Sequence, residues 1–442
     1  MKVAKFGGSS VADSDQFRKV KAIANSDSDR NVIVVSAAGK SSAEPVKVTD
    51  LLIQLEDAKS NGTDCQRIFD HISDRVLKIR DELNLDVNIE NDLKEIYSKL
   101  DSCSHDYLVS RGEYLTGKLM AAYLGYYFAD AKDFMIFDRE NFDYQASEKR
   151  IKEIMAAHEY IVAPGFYGAN EDGSIHLMPR GGSDISGSIL ASLLNASLYE
   201  NWTDVSGILM ADPRIVNHSK KIDVLTYDEL QELSYMGIGV FQEEAVRPVR
   251  EKQIPTKILN TNHPEDSGTL VVDSAAKKSD NNIITGIAGK KNYTVITIKK
   301  YQLNKHIEVL QNVLSVLQKF HISINYVPSG MDSFSFLCRQ SEVSNKLEAI
   351  LLKLRNKCGL DSVEVNRDIA LVAAVSLQLS KRPAIAGKIL DYLDNSLINV
   401  RLVIQEGSDI KVVFGVSNED YEKTISKIYR EAMFRDYKRI PA

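Results

Sequence analysis

The chain has 442 residues, of which 44% are hydrophobic and 26% charged, with a formal net charge of −6. That length suggests two or three domains with room for a large core, and the acidic balance excludes a global basic field for nucleic acid. Four scattered cysteines (Cys65, Cys103, Cys338 and Cys358) lack metal-ligand spacing and read as free thiols; the charged start Met1–Phe6 and the lack of an apolar run of roughly 20 residues exclude a signal peptide and a membrane span, so a cytoplasmic protein is expected.

Val3–Phe6 reads as a strand that runs into Gly7-Gly8-Ser9-Ser10, and Phe17, Val20 and Ile23 then mark one helical face. Paired glycines let a backbone approach a ligand closely, and the amides that follow can donate to phosphate oxygens, with Lys5 within reach of the same group. Taken alone, such a turn is better explained as a plain strand-to-helix connection. Val32–Val35 is a β-branched run suited to a strand buried on both faces, and Tyr160–Ala163 is similar. Gly39-Lys40-Ser41 looks like the end of a P-loop, but Val34 stands where its first glycine must be, which excludes that motif. No GxGxxG follows an early strand, so a dinucleotide fold has no support. Ile185, Ile189, Leu193 and Leu194 keep helical spacing after a glycine-rich turn. Alternating strands and helices predict a mostly parallel sheet covered on both faces.

The polar stretch 272–282 reads as a linker. Beyond it, strand-helix-strand-strand-helix occurs twice. The first round is Thr294–Ile298, Ile307–Phe320, Ile322–Val327, Phe334–Cys338 and Leu347–Leu354. The second is Leu371–Leu377, Ile385–Leu393, Val400–Ile404, Ile410–Phe414 and Tyr421–Met433. The turn Ser329-Gly330 recurs at Glu406-Gly407, about 77 positions later, which signals a duplication. Tandem ferredoxin-like units of this kind often sense small ligands, an inference by analogy.

Six segments in order resemble the aspartate kinases of the amino-acid kinase superfamily. They are Val3–Ala12; Val35–Lys40 with Thr49–Leu52; Ser110-Arg111-Gly112-Glu113; Arg180-Gly181-Gly182-Ser183-Asp184; Trp202–Gly207 running to Ala211–Arg214; and Ile254–Lys257 with Asn260-Thr261. The resemblance spans essentially the whole chain. It implies a three-layer α/β/α amino-acid kinase (carbamate kinase-like) domain over 1–280. Two ferredoxin-like ACT units would follow at 283–365 and 366–442, with the leading strand of the first exchanged with the second.

Residue roles follow from the resemblance and are checked against chemistry. Lys5 and Asp184 would be catalytic. Gly7, Gly8 and Ser9, with Lys5, would hold the ATP phosphates, and Thr203, Asp204, Asp212, Arg214 and Lys257 the rest of the nucleotide. Thr49, Glu113, Arg180 and Ser183 would bind L-aspartate, Arg180 as a fork on a carboxylate and Glu113 against the α-ammonium. Mg²⁺ would be carried by the ATP phosphates, with no protein ligand of its own. Without the resemblance, Glu113 reads as a solvated helix charge, Arg180 as a surface loop residue and Asp184 as an N-cap; Trp202 reads as core or pocket wall with no catalytic role, and the eight histidines show no ligand spacing.

The effector would be lysine first and threonine second, at Asn325, Ser329, Met331, Asp332, Phe334 and Ser335. Asn325 and Gly330 stand where lysine-sensitive relatives carry carboxylates. Met178-Pro179 replaces the usual Leu-Gly, and 239–243 departs from the usual Lys-Val-Leu-His-Pro. The chain stops at Ala442 with no dehydrogenase region, so a monofunctional enzyme is expected, as a homodimer or dimer of dimers. A glutamate 5-kinase would share the Gly7-Gly8 start but lack Arg180–Asp184 and the ACT pair. A catalytically silent sensor would have lost Lys5 or Asp184, and both are present.

Overall fold

Val32–Val35 lies between the strands Lys2–Phe6 and Ile161–Pro164 in the computed structural model, and all four of its side chains are buried. The structure describes residues 1–139, 141–179, 181–239, 243–273, 283–382, 384–405 and 409–434. Two units are distinct: Met1–Ile208 with Lys221–Ser234 and Gly239–Lys278, and Leu209–Lys220 with Tyr235–Ile238 and Ser279–Ala442.

The first unit is built on a sheet of eight described strands. Their order is Val224–Thr226, Thr269–Val272, Thr256–Asn260, Leu198–Thr203, Lys2–Phe6, Val32–Val35, Ile161–Pro164 and Tyr127–Phe128. Every pairing is parallel except Thr256–Asn260 with Thr269–Val272. The chain leaves Lys2–Phe6 toward Val32–Val35 on one side and later returns as Leu198–Thr203 on the other. The sheet's direction of winding therefore reverses at Lys2–Phe6, and a crevice opens at the carboxyl ends of strands at such a point. A second sheet orders Asn141–Phe142, Ile136–Asp138, Tyr167–Asn170 and Ile175–Leu177.

Helix ends follow local chemistry. The Asp13, Asp64 and Ser104 side chains accept from backbone amides at the starts of Ser14–Asn25, Cys65–Glu82 and His105–Leu124. One apolar core joins Phe6, Phe17, Val20, Ile33, Leu52, Ile72, Leu115 and Trp202.

The second unit carries a five-stranded antiparallel sheet, ordered Ser333–Arg339, Gly286–Lys299, Ser362–Val375, Lys411–Ser417 and Leu402–Ile404. Gly286–Lys290 pairs with Leu371–Val375. Tyr293–Lys299 lies between Ser333–Arg339 and the earlier half of Ser362–Val375. The register shifts between these halves, beside Asn292 at φ 66°. Helices Ile307–Lys319 and Leu347–Cys358 bury Val313, Val316, Ile350 and Leu354 against Ile296, Ile298, Phe334 and Phe336.

Ile322–Val327, expected as a strand, forms only one isolated bridge, Tyr326 to Leu337, and Ser329 just beyond it bridges Phe334. Pro328 follows and lacks the N–H a ladder needs. Leu371–Leu377 is part of the longer strand Ser362–Val375, and Leu377 instead opens a short helix capped by Ser376. Most of the expected linker (274–282) and the recurring turn at Glu406-Gly407 lie outside the described residues.

Candidate active site

Lys5 sits near the carboxyl end of Lys2–Phe6, the strand at which winding reverses, and its side chain is buried. Its Nζ donates to Asp184 Oδ1. Asp184 lies in the first turn of helix Gly182–Leu193, whose N-cap is Gly181 in the left-handed conformation at φ 85°. Asp184 is thus not itself the cap, and its carboxylate is free to face the sheet. Asn201, on the neighbouring strand Leu198–Thr203, donates from Nδ2 to the same Oδ1 at 3.1 Å, and Tyr199 Oη donates to the Asp184 carbonyl at 3.2 Å. Three elements therefore fix one cation–carboxylate pair, at the positive end of a helix.

The turn after Lys5 is held just as closely. Gly7 N donates to Trp202 O at 3.0 Å, and a Cβ at Gly7 would stand 3.6 Å from Lys5 Nζ. Gly8–Val11 is one 3-10 turn. Gly39 N donates to Gly8 O at 2.9 Å, and a Cβ at Gly39 would lie 2.4 Å from the Gly8 carbonyl carbon. Only glycine allows these two loops to meet so closely. Ser10 Oγ and Thr261 Oγ1 share a 2.7 Å hydrogen bond, and Thr261 N donates to Thr203 O at 2.8 Å, so the loops ending three strands are joined.

Below this floor, Arg30 Nε donates to Glu200 Oε2 at 2.7 Å, and Trp202 Nε1 donates to the same oxygen at 2.9 Å. Trp202 stacks on Phe6 and is buried in the apolar core, the first of its two expected settings.

Glu113 enters from helix His105–Leu124. Gly112 makes this possible, because a Cβ there would meet Ala37 Cβ at 2.8 Å. The Glu113 carboxyl is buried and pushed up to about 8, mainly by burial, against the lowering influence of the Ala37 N–H, Lys47 and Arg111. Its Oε2 has no hydrogen-bond partner among the described residues. The solvated helix charge that composition alone suggests is therefore a buried acid.

Ser183 is buried beside Gly165, and Thr49 is half-buried in the first turn of helix Val48–Asn61. Lys257 is half-buried on Thr256–Asn260. Thr203 Oγ1 donates to Asp204 Oδ1 at 3.2 Å at an exposed strand end. Asp212 and Arg214 belong to the second unit, where they form an ion pair at 2.6 Å. Arg180 and positions 240–242 lie outside the described residues. Asn201, Gly39, Ser10 and Thr261 were not assigned roles from sequence. The one signal for Asn201 was a Glu-Asn pair inside an otherwise buried strand.

In the second unit the candidate effector residues divide. Phe334 faces the apolar core, whereas Ser335 faces the other side of its strand, where Thr297 Oγ1 and Ser335 Oγ lie 2.8 Å apart. Ser335 lines a cavity of about 420 Å³ with Asn366 and Arg401. Asn325 Nδ2 donates to Tyr235 Oη at 2.7 Å, and Asp332 Oδ1 accepts from Gln302 N at 2.7 Å. Met331 is 71% exposed and Ser329 is exposed.

All four cysteines are free. Among the described residues no group of three or more His, Cys, Asp or Glu could hold a metal ion, and no helix is long and apolar enough to cross a membrane.

Residues 1–260 match the amino acid kinase family, and residues 372–432 match an ACT domain. The chain is 32% identical to aspartokinase 3 of Bacillus subtilis over 98% of both chains. It superposes on the aspartate kinase of Clostridium acetobutylicum with a TM-score of 0.93 at 43% identity, covering 97% of this chain and 99% of that one. It also resembles E. coli aspartokinase III at 25% identity, covering 98% of this chain. The TM-score is 0.77 against that protein's T-state complex with lysine and aspartate (99% of that chain) and 0.75 against its R-state complex with aspartate and ADP (100%).

Proposed function

We propose that this chain, which belongs to the aspartokinases, transfers the γ-phosphoryl group of ATP to the β-carboxylate of L-aspartate, giving 4-phospho-L-aspartate. The observation that carries the reading is the Lys5–Asp184–Asn201 constellation beside the Gly7–Ser9 turn, at the carboxyl ends of the strands.

The acceptor is a carboxylate, ionised at neutral pH, so the step needs no general base. Catalysis then rests on positioning and charge stabilisation. The backbone of Gly7, Gly8 and Ser9 approaches the phosphates, and Lys5 neutralises charge on the group in transfer. Asp184 holds the Lys5 ammonium in place, and Asn201 holds Asp184. Mg²⁺ carried by the phosphates supplies further neutralisation. Oε2 of Glu113 is the acceptor for the substrate ammonium, with Thr49 and Ser183 on the same side and Arg180 for a carboxylate. Thr203, Asp204 and Lys257 are assigned to the nucleotide. These local cations offset an acidic chain that would otherwise repel two anionic substrates.

The product is a mixed anhydride and the first intermediate toward lysine, threonine and methionine. The kinase region covers 1–280 and two ACT units cover 283–365 and 366–442, with lysine first and threonine second as feedback ligand. The working form is a homodimer or dimer of dimers in the cytoplasm. Support comes from the lysine and aspartate complex of the E. coli relative and from the strand pairing of the second unit. The test is ATP-dependent acyl phosphate formation, trapped as the hydroxamate, with L-aspartate against L-glutamate, then with lysine or threonine added. Product from aspartate, suppressed by lysine, supports the reading; product from glutamate alone overturns it.

A further inference from the structure

We propose that Arg75 is a positioning residue for ATP, clamping the loop 39–46 against the Gly7–Ser9 turn; this rests on reading that turn as the phosphate cradle. Arg75 lies on helix Cys65–Glu82 and is 4% exposed. Its Nη2 donates to Gly39 O at 2.8 Å and its Nη1 to Val46 O at 2.6 Å. These carbonyls stand at the two ends of the loop. The carboxylate nearest in the structure, Glu44, is 3.8 Å from Nε and 2.9 Å from His71 Nε2.

A buried guanidinium that spends its donors on neutral carbonyls is an expensive way to fill space, and an apolar side chain would pack there at lower cost. What the fork adds is geometry: two parallel donors set the spacing of two carbonyls. One of those carbonyls belongs to Gly39, whose N–H donates to Gly8 O at 2.9 Å and whose Cα tolerates no side chain against Gly8. The path from Arg75 to the phosphate turn is therefore two hydrogen bonds long, through a residue with no room to shift. Between its ends the loop closes on itself through Ser41 N to Glu44 O at 2.9 Å, and the Glu44 carboxylate meets His71 on the same helix as Arg75.

The aspartate side is anchored separately. Val48 N donates to Ala38 O at 3.0 Å, and Ala38 N donates to Thr116 Oγ1 at 3.2 Å, so Thr49 and the Ala37 amide keep their places without Arg75. Loss of the clamp should thus be felt by ATP and not by aspartate.

The experiment uses the full chain with Arg75→Lys, Arg75→Met and Arg75→Ala. It reads KM for ATP and for aspartate, kcat, MgADP affinity by calorimetry and the thermal midpoint. Arg75→Met should raise KM for ATP and weaken MgADP about tenfold or more, with KM for aspartate within about twofold. Arg75→Lys should fall between, and millimolar methylguanidinium should restore part of the ADP affinity of Arg75→Ala. Unchanged MgADP affinity in Arg75→Lys and Arg75→Met overturns the proposal. So do equal rises in both KM values that track a lowered midpoint. If Arg75→Met does not fold, the Lys variant and the methylguanidinium rescue carry the test. Failure of the parent reading looks different: the unsubstituted enzyme would bind MgADP yet make no acyl phosphate from aspartate.

Discussion

Glu113→Gln should separate aspartate binding from pH. The Glu113 carboxyl, raised from its ordinary 4.5 to about 8 by burial, is mostly protonated in the free enzyme at pH 7. An α-ammonium brought against Oε2 requires the ionised form. Aspartate binding must then release a proton, and apparent affinity should rise with pH up to about 8. The expected fall in KM for aspartate from pH 6 to pH 8 is about fifty-fold, set by the ionised fraction alone. Stability runs the other way. A raised folded-state value means the folded chain holds a proton that the unfolded chain has lost, so this group's contribution is complete below pH 4.5 and is lost as pH rises through about 8. The loss is on the order of 5 kcal/mol. Glu113→Gln is neutral throughout. It should raise KM for aspartate about a hundredfold at pH 8 and make it flat with pH, leave KM for ATP near its original value, and abolish this part of the alkaline loss of stability. Steady-state kinetics from pH 6 to 9 and thermal unfolding across the same range read both arms. A pH-independent KM in the unsubstituted enzyme, or normal aspartate affinity in the variant, would refute the reasoning.

Lys5→Ala removes the buried ammonium paired with Asp184, and kcat should fall about 10²–10³-fold or more while the fold persists by circular dichroism. Gly39→Ala drives a Cβ to 2.4 Å from the Gly8 carbonyl carbon; KM for ATP should rise more than about tenfold with a stability cost of about 1–3 kcal/mol in urea unfolding. Glu200→Gln strips the countercharge from buried Arg30 and should cost about 3–5 kcal/mol by the same measurement, far more than it alters the KM values of the protein that remains folded.

The parallel sheet was legible because strands buried on both faces leave continuous β-branched runs, as at Val32–Val35 and Ile161–Val162. Lys5 and Asp184 could be named, but their meeting depends on winding that brings residues 179 positions apart to one crevice. Asn201 escaped notice because a fully buried strand has no sequence period that marks the side facing the site; its register against Lys5 decides that. Glu113 read as a surface charge because its burial comes from Gly112, whose missing side chain lets the helix close on Ala37. The strand Ser362–Val375 was cut short because its first half, Ser-Val-Glu-Val-Asn-Arg-Asp, alternates with exposed polar residues while its second half is wholly buried. Ile322–Val327 carried strand-like residues, but the adjacent Pro328 and the turn at Ser329 leave it a single bridge. Arg75 gave no signal at all, since its partners are backbone carbonyls, which sequence does not distinguish.

The central claim is that the acceptor is the side-chain carboxylate of aspartate, and following ³¹P resonances of ATP with L-aspartate carrying ¹⁸O in that carboxylate tests it most directly. The account predicts an acyl phosphate signal that grows as the γ-phosphate disappears, shifted by the ¹⁸O in its bridging oxygen. Loss of γ-phosphate to inorganic phosphate alone, or an acyl phosphate without the isotope shift, would contradict it.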